Sequence, residues 1–418
     1  MISSRKISYS LIYLLPLAIP SGPFLPDLII SILSILFIYE YFTNKIEFKL
    51  NNKFLLFLLS INIYLIFTSL MSDNISLSLQ STLFYFRFSL FTIFFVILLN
   101  SNSSLIKNFF YINFFLYTFI ILDALFQYYF NYNFLGFEKE SRLSGVFKDE
   151  LKLGSYIIKY YFVFIVSMFL VIKNKKISNL ILVISSISVL YLTFLTEERT
   201  AFYLGLFSIL FIFLMSNLNN LIKAATFVAI FSSIFLLSIS NISIYDRMFK
   251  YTKNQIYNND TFYIFSPHHQ SHISVSIELF KRNYIFGIGP KMFREKCKEK
   301  DYKLLLDLEK DPCSTHTHNF AVQILSETGI LGFFIYLFVL LYSFYKLAKL
   351  IQKRLKSKFT NLEFNFLITL TAIITFLIPI APSGNFFNNW LSIFLFLYIV
   401  FLINNNKNIL FVENISNK

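Results

Sequence analysis

The sequence predicts an all-α, polytopic membrane protein with about twelve transmembrane helices. Of the 418 residues, 56% are hydrophobic and only 14% are charged, whereas soluble domains are about half apolar and a quarter charged. The apolar residues are grouped in long runs, and a helix needs roughly 20 such residues to cross the hydrocarbon core of a bilayer. The composition therefore excludes an ordinary soluble domain.

Twelve apolar runs account for most of the chain. The first follows Arg5 and Lys6 and has no small-residue cleavage site after it, so we interpret it as a span rather than a signal peptide. The eighth is short for a full span. The runs lie near residues 7–21, 25–43, 53–71, 80–100, 105–130, 154–172, 177–195, 201–216, 221–240, 319–345, 362–381 and 386–404.

The distribution of basic residues predicts that both termini are cytoplasmic. If the N-terminus is inside, 18 of the 37 lysines and arginines fall in cytoplasmic segments, and the short outer turns at 22–24, 72–79 and 382–385 hold none. Lysine and arginine are retained on the cytoplasmic side of short loops. Topology thus explains most of the net charge of +14, and we do not expect nucleic-acid binding.

One segment differs from the rest of the chain and divides it into three parts. Residues 1–240 hold nine predicted helices, residues 319–418 hold three helices and a cytoplasmic tail, and the polar outer segment 241–318 lies between them with all five histidines and both cysteines. Such long loops are usually functional or disordered. Ile273, Ile277 and Phe280 have helical spacing, which predicts an amphipathic helix against the outer membrane face.

The two cysteines of this segment predict a disulfide. Cys297 and Cys313 enclose 15 residues and face an oxidising compartment on this topology. Closing such a loop stabilises the folded chain by about 3 kcal/mol in the entropy model. Zinc is the competing interpretation because histidines and cysteines cluster here, but there is no CxxC pair of the kind common in structural zinc sites.

Two interpretations fit the histidines that precede the tenth run. His316 and His318 alternate with threonine, and Asn319 follows them. One interpretation is a polar cap at the membrane interface, with Asn319 as the N-cap of a helix. The other is a general base, because histidine titrates near pH 6.5 and can accept a proton from a hydroxyl group.

The stretch "HNFAVQILSETGILG", with His318, Asn319, Gly329 and Gly332 at fixed spacing, resembles the signature of the O-antigen ligase and O-antigen polymerase superfamily. "GIGPKMFREKC", "TEERTAFYLG" and the long loop before the tenth run are similar to that group as well. The resemblance implies a GT-C-like glycosyltransferase of the bacterial inner membrane, with its active site facing the periplasm and with no metal or other cofactor. Its donor would be an undecaprenyl-diphosphate-linked glycan. Its acceptor would be the lipid A core in ligation or another glycan in polymerisation.

The resemblance also implies roles for individual residues. His318 resembles the catalytic histidine that deprotonates the acceptor hydroxyl, with His316 and Asn319 as neighbouring substrate contacts. Arg199 in "EERTA" resembles the arginine that binds the lipid diphosphate. The chain departs from the pattern in two places: Tyr203 stands where the ligases have leucine, and His269 stands where many relatives have an arginine.

Three more charged positions are candidates for substrate contacts or for structural groups. Arg87 and Asp123 each lie seven residues inside a predicted span, about 10 Å from its outer end. Because buried charges are costly in a bilayer, we expect them to pair, either structurally or with Arg87 also facing a diphosphate. Arg142 lies in the outer segment 131–153 and is interpreted either as part of a solvated loop or as a contact beside Arg199.

Two functions of other classes remain as alternatives to the enzyme. A polysaccharide or lipid transporter would place polar residues and broken helices near the middle of the membrane, often in paired repeats. The sequence shows no such repeat, and its polar residues gather on one side. A scaffold in envelope assembly would need neither His318 nor Arg199.

Overall fold

The computed structural model describes residues 4–43, 49–50, 52–258, 261–262, 264–308, 310–405 and 410–411, and helices occupy each of the twelve apolar runs. The helices are α1 (Ser4–Ala18), α2 (Phe24–Phe42), α3 (Asn52–Leu70), α4 (Ile75–Thr82), α5 (Phe86–Ser101), α6 (Ser103–Phe130), α7 (Leu153–Val171), α8 (Lys175–Leu195), α9 (Arg199–Met215), α10 (Asn220–Ser240), α11 (Ile242–Tyr245), α12 (Tyr251–Ile256), α13 (Pro267–Arg282), α14 (Phe293–Lys296), α15 (Tyr302–Leu305), α16 (Phe320–Lys356), α17 (Asn361–Leu377) and α18 (Asn389–Asn404).

Several short elements accompany these helices. Ile19–Ser21 and Gly145–Phe147 are 3-10 turns, and Asp246–Lys250 is a π-helical turn. Two antiparallel pairs of two-residue strands join Lys49–Leu50 to Leu410–Phe411 and Tyr257–Asn258 to Thr261–Phe262. Most of the predicted cytoplasmic tail, residues 406–409 and 412–418, and Lys45 in the first predicted cytoplasmic loop lie outside the described residues.

Several of these helices are suited to a membrane. Seven are long and apolar enough to cross one: Phe24–Phe42, Ile75–Ser101 (α4 with α5), Ser103–Phe130, Leu153–Val171, Lys175–Leu195, Asn220–Ser240 and Phe320–Lys356. Four shorter apolar helices accompany them, at Leu56–Leu70, Arg199–Met215, Asn361–Leu377 and Asn389–Asn404. The protein is therefore a multi-pass membrane protein, and the exact number of twelve spans stays a prediction.

The helix connections gather at two ends of the bundle. At one end, which we call the site end, Trp390 Nε1 donates to Ile19 O (3.0 Å) and Asn319 Nδ2 donates to Pro379 O (2.6 Å). The α1–α2, α17–α18 and α10–α16 connections therefore meet there. At the opposite end, Arg354, near the end of α16, donates to the carbonyls of Met215 and Ser216, at the end of α9, at 2.8 and 2.9 Å. These connections lie at the ends that the predicted topology assigns to them.

Two glycine motifs, "GIGPKMFREKC" and "HNFAVQILSETGILG", pack against each other. Helix α16 is kinked at Gly329, whose φ of 68° and ψ of −170° are not helical. The backbone of Ile285 and Gly287 lies so close that a side chain at Gly329 would overlap it, and Ile288 N donates to Ser326 O at 2.9 Å. The loop after α13 therefore pairs with an unwound turn of α16, which explains why both motifs contain glycine.

The predicted pairing of Arg87 with Asp123 is wrong. The helix of the fourth run is interrupted between Thr82 and Phe86, so Arg87 lies in the first turn of α5. Its Nε and Nη2 contact Asp27 Oδ1 at 2.8 and 2.7 Å. Asp123 instead accepts hydrogen bonds from Asn133 Nδ2 (3.2 Å) and Phe134 N (2.9 Å), and so holds the loop after α6.

The predicted amphipathic helix corresponds to α13, but it packs on protein. Ile273 and Leu279 are buried, whereas Ile277 is 39% exposed. Ser276 Oγ lies 2.7 Å from Thr317 Oγ1, next to the start of α16. The helix therefore rests on the segment that carries the two predicted site histidines.

Candidate active site

A cavity of about 990 Å³ opens at the site end. Its walls come from α7, α9, α13, α14, α16, α17 and α18 and from the loops between them. Five of the residues predicted from the sequence line it: Arg142, Arg199, His269, His316 and His318. Residues far apart in the chain therefore share one space.

His318 is held in an unusual backbone conformation. Its φ is 61°, in the left-handed region that costs most side chains free energy and that is enriched at functional sites. Asn319 Oδ1 accepts from Val322 N at 3.1 Å and caps α16, so the chain turns just before the helix. His318 O accepts from Ser383 N (2.9 Å), and His318 Nε2 lies 3.1 Å from Ser314 Oγ. These contacts fix the imidazole at the rim of the cavity.

Three other imidazoles surround it. The ring centroid of His318 lies 4.0 Å from that of His316, 5.1 Å from that of His269 and 5.3 Å from that of His272. We call these four residues the histidine cluster. Burial, and then the neighbouring imidazoles, lower the pKa of His318 to about 3. Burial lowers the pKa of His269 and of His316 to about 4. All three are therefore neutral at pH 7, and each has one unprotonated ring nitrogen.

The cysteines of the outer segment form a disulfide. Cys297 and Cys313 are bonded, with their Cα atoms 5.3 Å apart. His268 and His272 are four residues apart on α13, a spacing that can suit a metal. Across the described part of the chain, however, no group of three or more His, Cys, Asp or Glu residues is placed to hold a metal ion. The zinc interpretation of this segment therefore receives no support.

Arg199 begins α9 and is oriented by α12. Its Nη1 donates to Gln255 Oε1 (2.7 Å) and contacts Thr252 Oγ1 (3.5 Å). Neither partner is a carboxylate, so these contacts fix the guanidinium without neutralising it. A fixed, unneutralised arginine is suited to a phosphate group, whose oxygens match its planar fork of donors.

The two carboxylates that precede Arg199 in the chain, Glu197 and Glu198, have other partners. Glu197 pairs with Arg247 at 3.5 Å. Glu198 accepts from Gly154 N (2.6 Å) and Ser155 N (2.9 Å) and so caps the first turn of α7, where a negative charge is favourable. Burial raises the pKa of Glu198, and these two backbone N–H groups oppose that rise. A Cβ at Gly154 would lie only 2.4 Å from Thr196 Oγ1 and 3.1 Å from Glu198 Cβ, which explains the glycine.

Arg142 also keeps its charge unpaired. Among the described residues it makes no ion pair or hydrogen bond, although it lines the cavity. Burial, followed by the nearby Arg247, lowers its pKa, and Glu198 and Glu197 oppose this effect. Arg142, Arg199 and Arg247 therefore form one positively charged wall.

Two residues predicted as substrate contacts lie outside the cavity lining. Asn319 uses its carbonyl oxygen to cap α16 and its amide nitrogen to bind Pro379 O, so the capping interpretation describes it correctly. Arg87 pairs with Asp27. Neither residue is among those that line the cavity, and we do not keep them in the proposed site.

Sequence reasoning missed four cavity cations, which are Lys152, Lys159, Arg247 and Arg294. Lys159 lies inside α7, where Nζ donates to Ser155 Oγ at 2.7 Å. A lysine inside an apolar run is itself a signal of function in a membrane protein and could have identified it. Arg247 and Arg294 line the cavity as well, but nothing local distinguishes them from the other basic residues of the outer segment.

A family model matches a segment of the chain that contributes residues to this site. Residues 183–337 match the family model described as O-antigen ligase, and no curated protein matches the chain. The matched segment runs from α8 into α16 and contains Arg199, the histidine cluster and the kink at Gly329. Over residues 183–337, the chain is therefore similar to the O-antigen ligase family.

Proposed function

We propose that the protein is an O-antigen ligase that transfers an undecaprenyl-diphosphate-linked glycan to a hydroxyl group of the lipid A core. Repeat-unit polymerisation by the same site is the alternative within the superfamily. One observation carries the proposal: His318, a neutral imidazole, and Arg199, a fixed guanidinium, line the same cavity. A proton acceptor and a phosphate-binding group are what this transfer needs in one place.

The arginine wall supports binding of the donor diphosphate. Arg142 and Arg199 are cations without a carboxylate partner in the described structure. Arg199, Thr200 and Ala201 line the cavity and are the first residues of α9, so the N-terminus of a 17-residue helix faces the same space. Helix N-termini bind phosphate through free N–H groups and the helix dipole.

The histidine supports activation of the acceptor. In the proposed step, His318 takes the proton of the acceptor hydroxyl while its oxygen forms a bond to the anomeric carbon. The bond from that carbon to the diphosphate breaks, and Arg199 and Arg142 stabilise the leaving charge. Such a single displacement inverts the anomeric centre. A bound diphosphate also raises the pKa of the imidazole through its negative charge, which strengthens the base when the donor is present.

The charge distribution supports a periplasmic site in the bacterial inner membrane. The end opposite the cavity carries Arg354 and the other lysines and arginines near the end of α16. Because short basic segments stay in the cytoplasm, the site end would face the periplasm. That is where a lipid-linked glycan would meet its acceptor.

Surface glycan analysis tests the proposal. We expect His318→Ala and Arg199→Ala, expressed in a strain lacking the gene, to abolish glycan attachment. His268→Ala is the matched control, because His268 is exposed and does not line the cavity. Loss of all attached glycan indicates a ligase, whereas attachment of single repeats indicates the polymerase. Unchanged glycan in both variants would reject the enzyme and favour the transporter.

A further inference from the structure

Arg294 also lines the cavity, but it lies on a different structural element from the residues of the arginine wall. It belongs to α14, and its Nη2 contacts Thr315 O at 3.4 Å. Its Nε is buried and has no hydrogen-bond partner among the described residues. This guanidinium therefore has donor capacity that the protein does not use.

Arg199 and Arg294 act on different members of the histidine cluster. Arg199 is among the charges that, after burial, lower the pKa of His269. Arg294 has the same effect on His316. The ring of His318 contacts both of these histidines, at 5.1 and 4.0 Å. The proposed base is thus next to one histidine influenced by Arg199 and to another influenced by Arg294.

The charge of the cavity exceeds what a diphosphate donor needs. Six basic and three acidic side chains line it, while the lining histidines whose pKa falls are neutral at pH 7. A glycan diphosphate ester carries one negative charge on each of its two phosphates. After the donor binds, positive charge remains for a second anion. The residues counted are Arg142, Lys152, Lys159, Arg199, Arg247 and Arg294, with Glu150, Glu197 and Glu198.

The disulfide connects Arg294 to the proposed base. Cys297 follows α14, and Cys313 lies two residues before Thr315, the contact of Arg294. The bond therefore ties α14 to the segment that ends in His318. A group bound by Arg294 would be held at a set distance from the imidazole.

We propose that Arg294 binds an acidic group, a carboxylate or a phosphate monoester, on the acceptor sugar. This inference rests on the proposed function and adds the chemical class of the acceptor. The acidic group would hold the acceptor on the side of His318 opposite the donor diphosphate. One hydroxyl of that sugar would then face the imidazole. Arginine suits this role because its fork binds both classes of oxyanion through paired hydrogen bonds.

Binding measurements on the full-length protein in nanodiscs test this inference. The probes are methyl β-D-glucuronide, glucose 6-phosphate and the neutral methyl β-D-glucoside, each titrated with and without saturating undecaprenyl diphosphate. We expect wild type to bind at least one acidic probe more tightly than the neutral one. Arg294→Gln should weaken that acidic probe by about tenfold, as expected for loss of a charge-assisted contact. Arg294→Lys should retain part of the affinity.

A comparison with Arg199 separates the two subsites. Arg199→Gln should weaken undecaprenyl diphosphate and leave the acidic probe within about twofold, and Arg294→Gln should do the reverse. Equal binding of acidic and neutral probes to wild type would overturn the inference, as would an Arg294→Gln variant that weakens the lipid as strongly as Arg199→Gln. If wild type fails to bind the lipid, the proposed function fails. The titrations without lipid still test Arg294 in that case.

Discussion

Replacing Gly329 by alanine should destabilise the protein more than the same replacement at a glycine whose φ is also positive but whose surroundings are open. The φ of 68° and ψ of −170° belong to a region used almost only by glycine, which costs another residue about 1–3 kcal/mol. The added Cβ would also overlap the backbone of Ile285 and Gly287. Overpacking of this kind costs about 1–3 kcal/mol more. We therefore expect a loss of roughly 2–6 kcal/mol in the free energy of unfolding.

Gly136→Ala is the matched control for this change. Gly136 also has a positive φ, 80°, but its Cβ would meet nothing within 4 Å. Alanine there costs only the left-handed conformation, about 1–2 kcal/mol. Thermal melting of both variants in the same detergent measures the difference. Gly329→Ala should melt well below Gly136→Ala and should also lose glycan attachment, because the kink orients the first turns of α16.

Equal melting temperatures for the two variants would refute this reasoning. That result would show that the close approach between the glycine motifs adds nothing to the conformational cost. A Gly329→Ala variant with the stability of wild type would also show that the kink is not needed to hold the site together.

Two further predictions concern the outer segment. The folded pKa values of His269, His316 and His318, about 4, 4 and 3, lie below the ordinary value of 6.5. The unfolded chain then binds more protons between these values, so the melting temperature should fall as pH is lowered from about 6.5 towards 4, and less so in His269→Gln. Cys313→Ser should lower the free energy of unfolding by about 3 kcal/mol, and reductant should lower the melting temperature of wild type but not of this variant.

Each of these has a clear contrary outcome. A melting temperature that stays constant over that pH range would show that the imidazoles are not shielded from protonation by burial. Freely alkylated Cys297 and Cys313 in the untreated, folded protein would exclude the disulfide.

The helices could be predicted closely because apolar length is a local property. Each predicted run coincides with helix, and long apolar segments specify their own helices in a membrane. The break before Arg87 could not be seen, since Leu83, Phe84 and Tyr85 continue the apolar pattern through it. Its true partner, Asp27, depends on how α2 packs beside α5, which spacing within one run does not record.

Part of the site could be predicted because some of its residues lie in recognisable local sequence patterns. His318 and Arg199 belong to short motifs, and the capping role of Asn319 follows from its position before an apolar helix. The convergence of Arg247 and Arg294 on the cavity depends on the folding of the 241–318 segment. Its turns and its disulfide bring together residues whose local sequence resembles any solvated loop.

The turn between α17 and α18 reaches back to the proposed base. Ser383 N donates to His318 O, and Pro379 O accepts from Asn319. This turn lies beyond residue 337, where the family match ends. The orientation of the imidazole is thus set partly by residues outside the segment that matches the family model. We expect substitutions in residues 379–383 to change which acceptor hydroxyl faces the imidazole, while the segment that matches the family model stays unchanged.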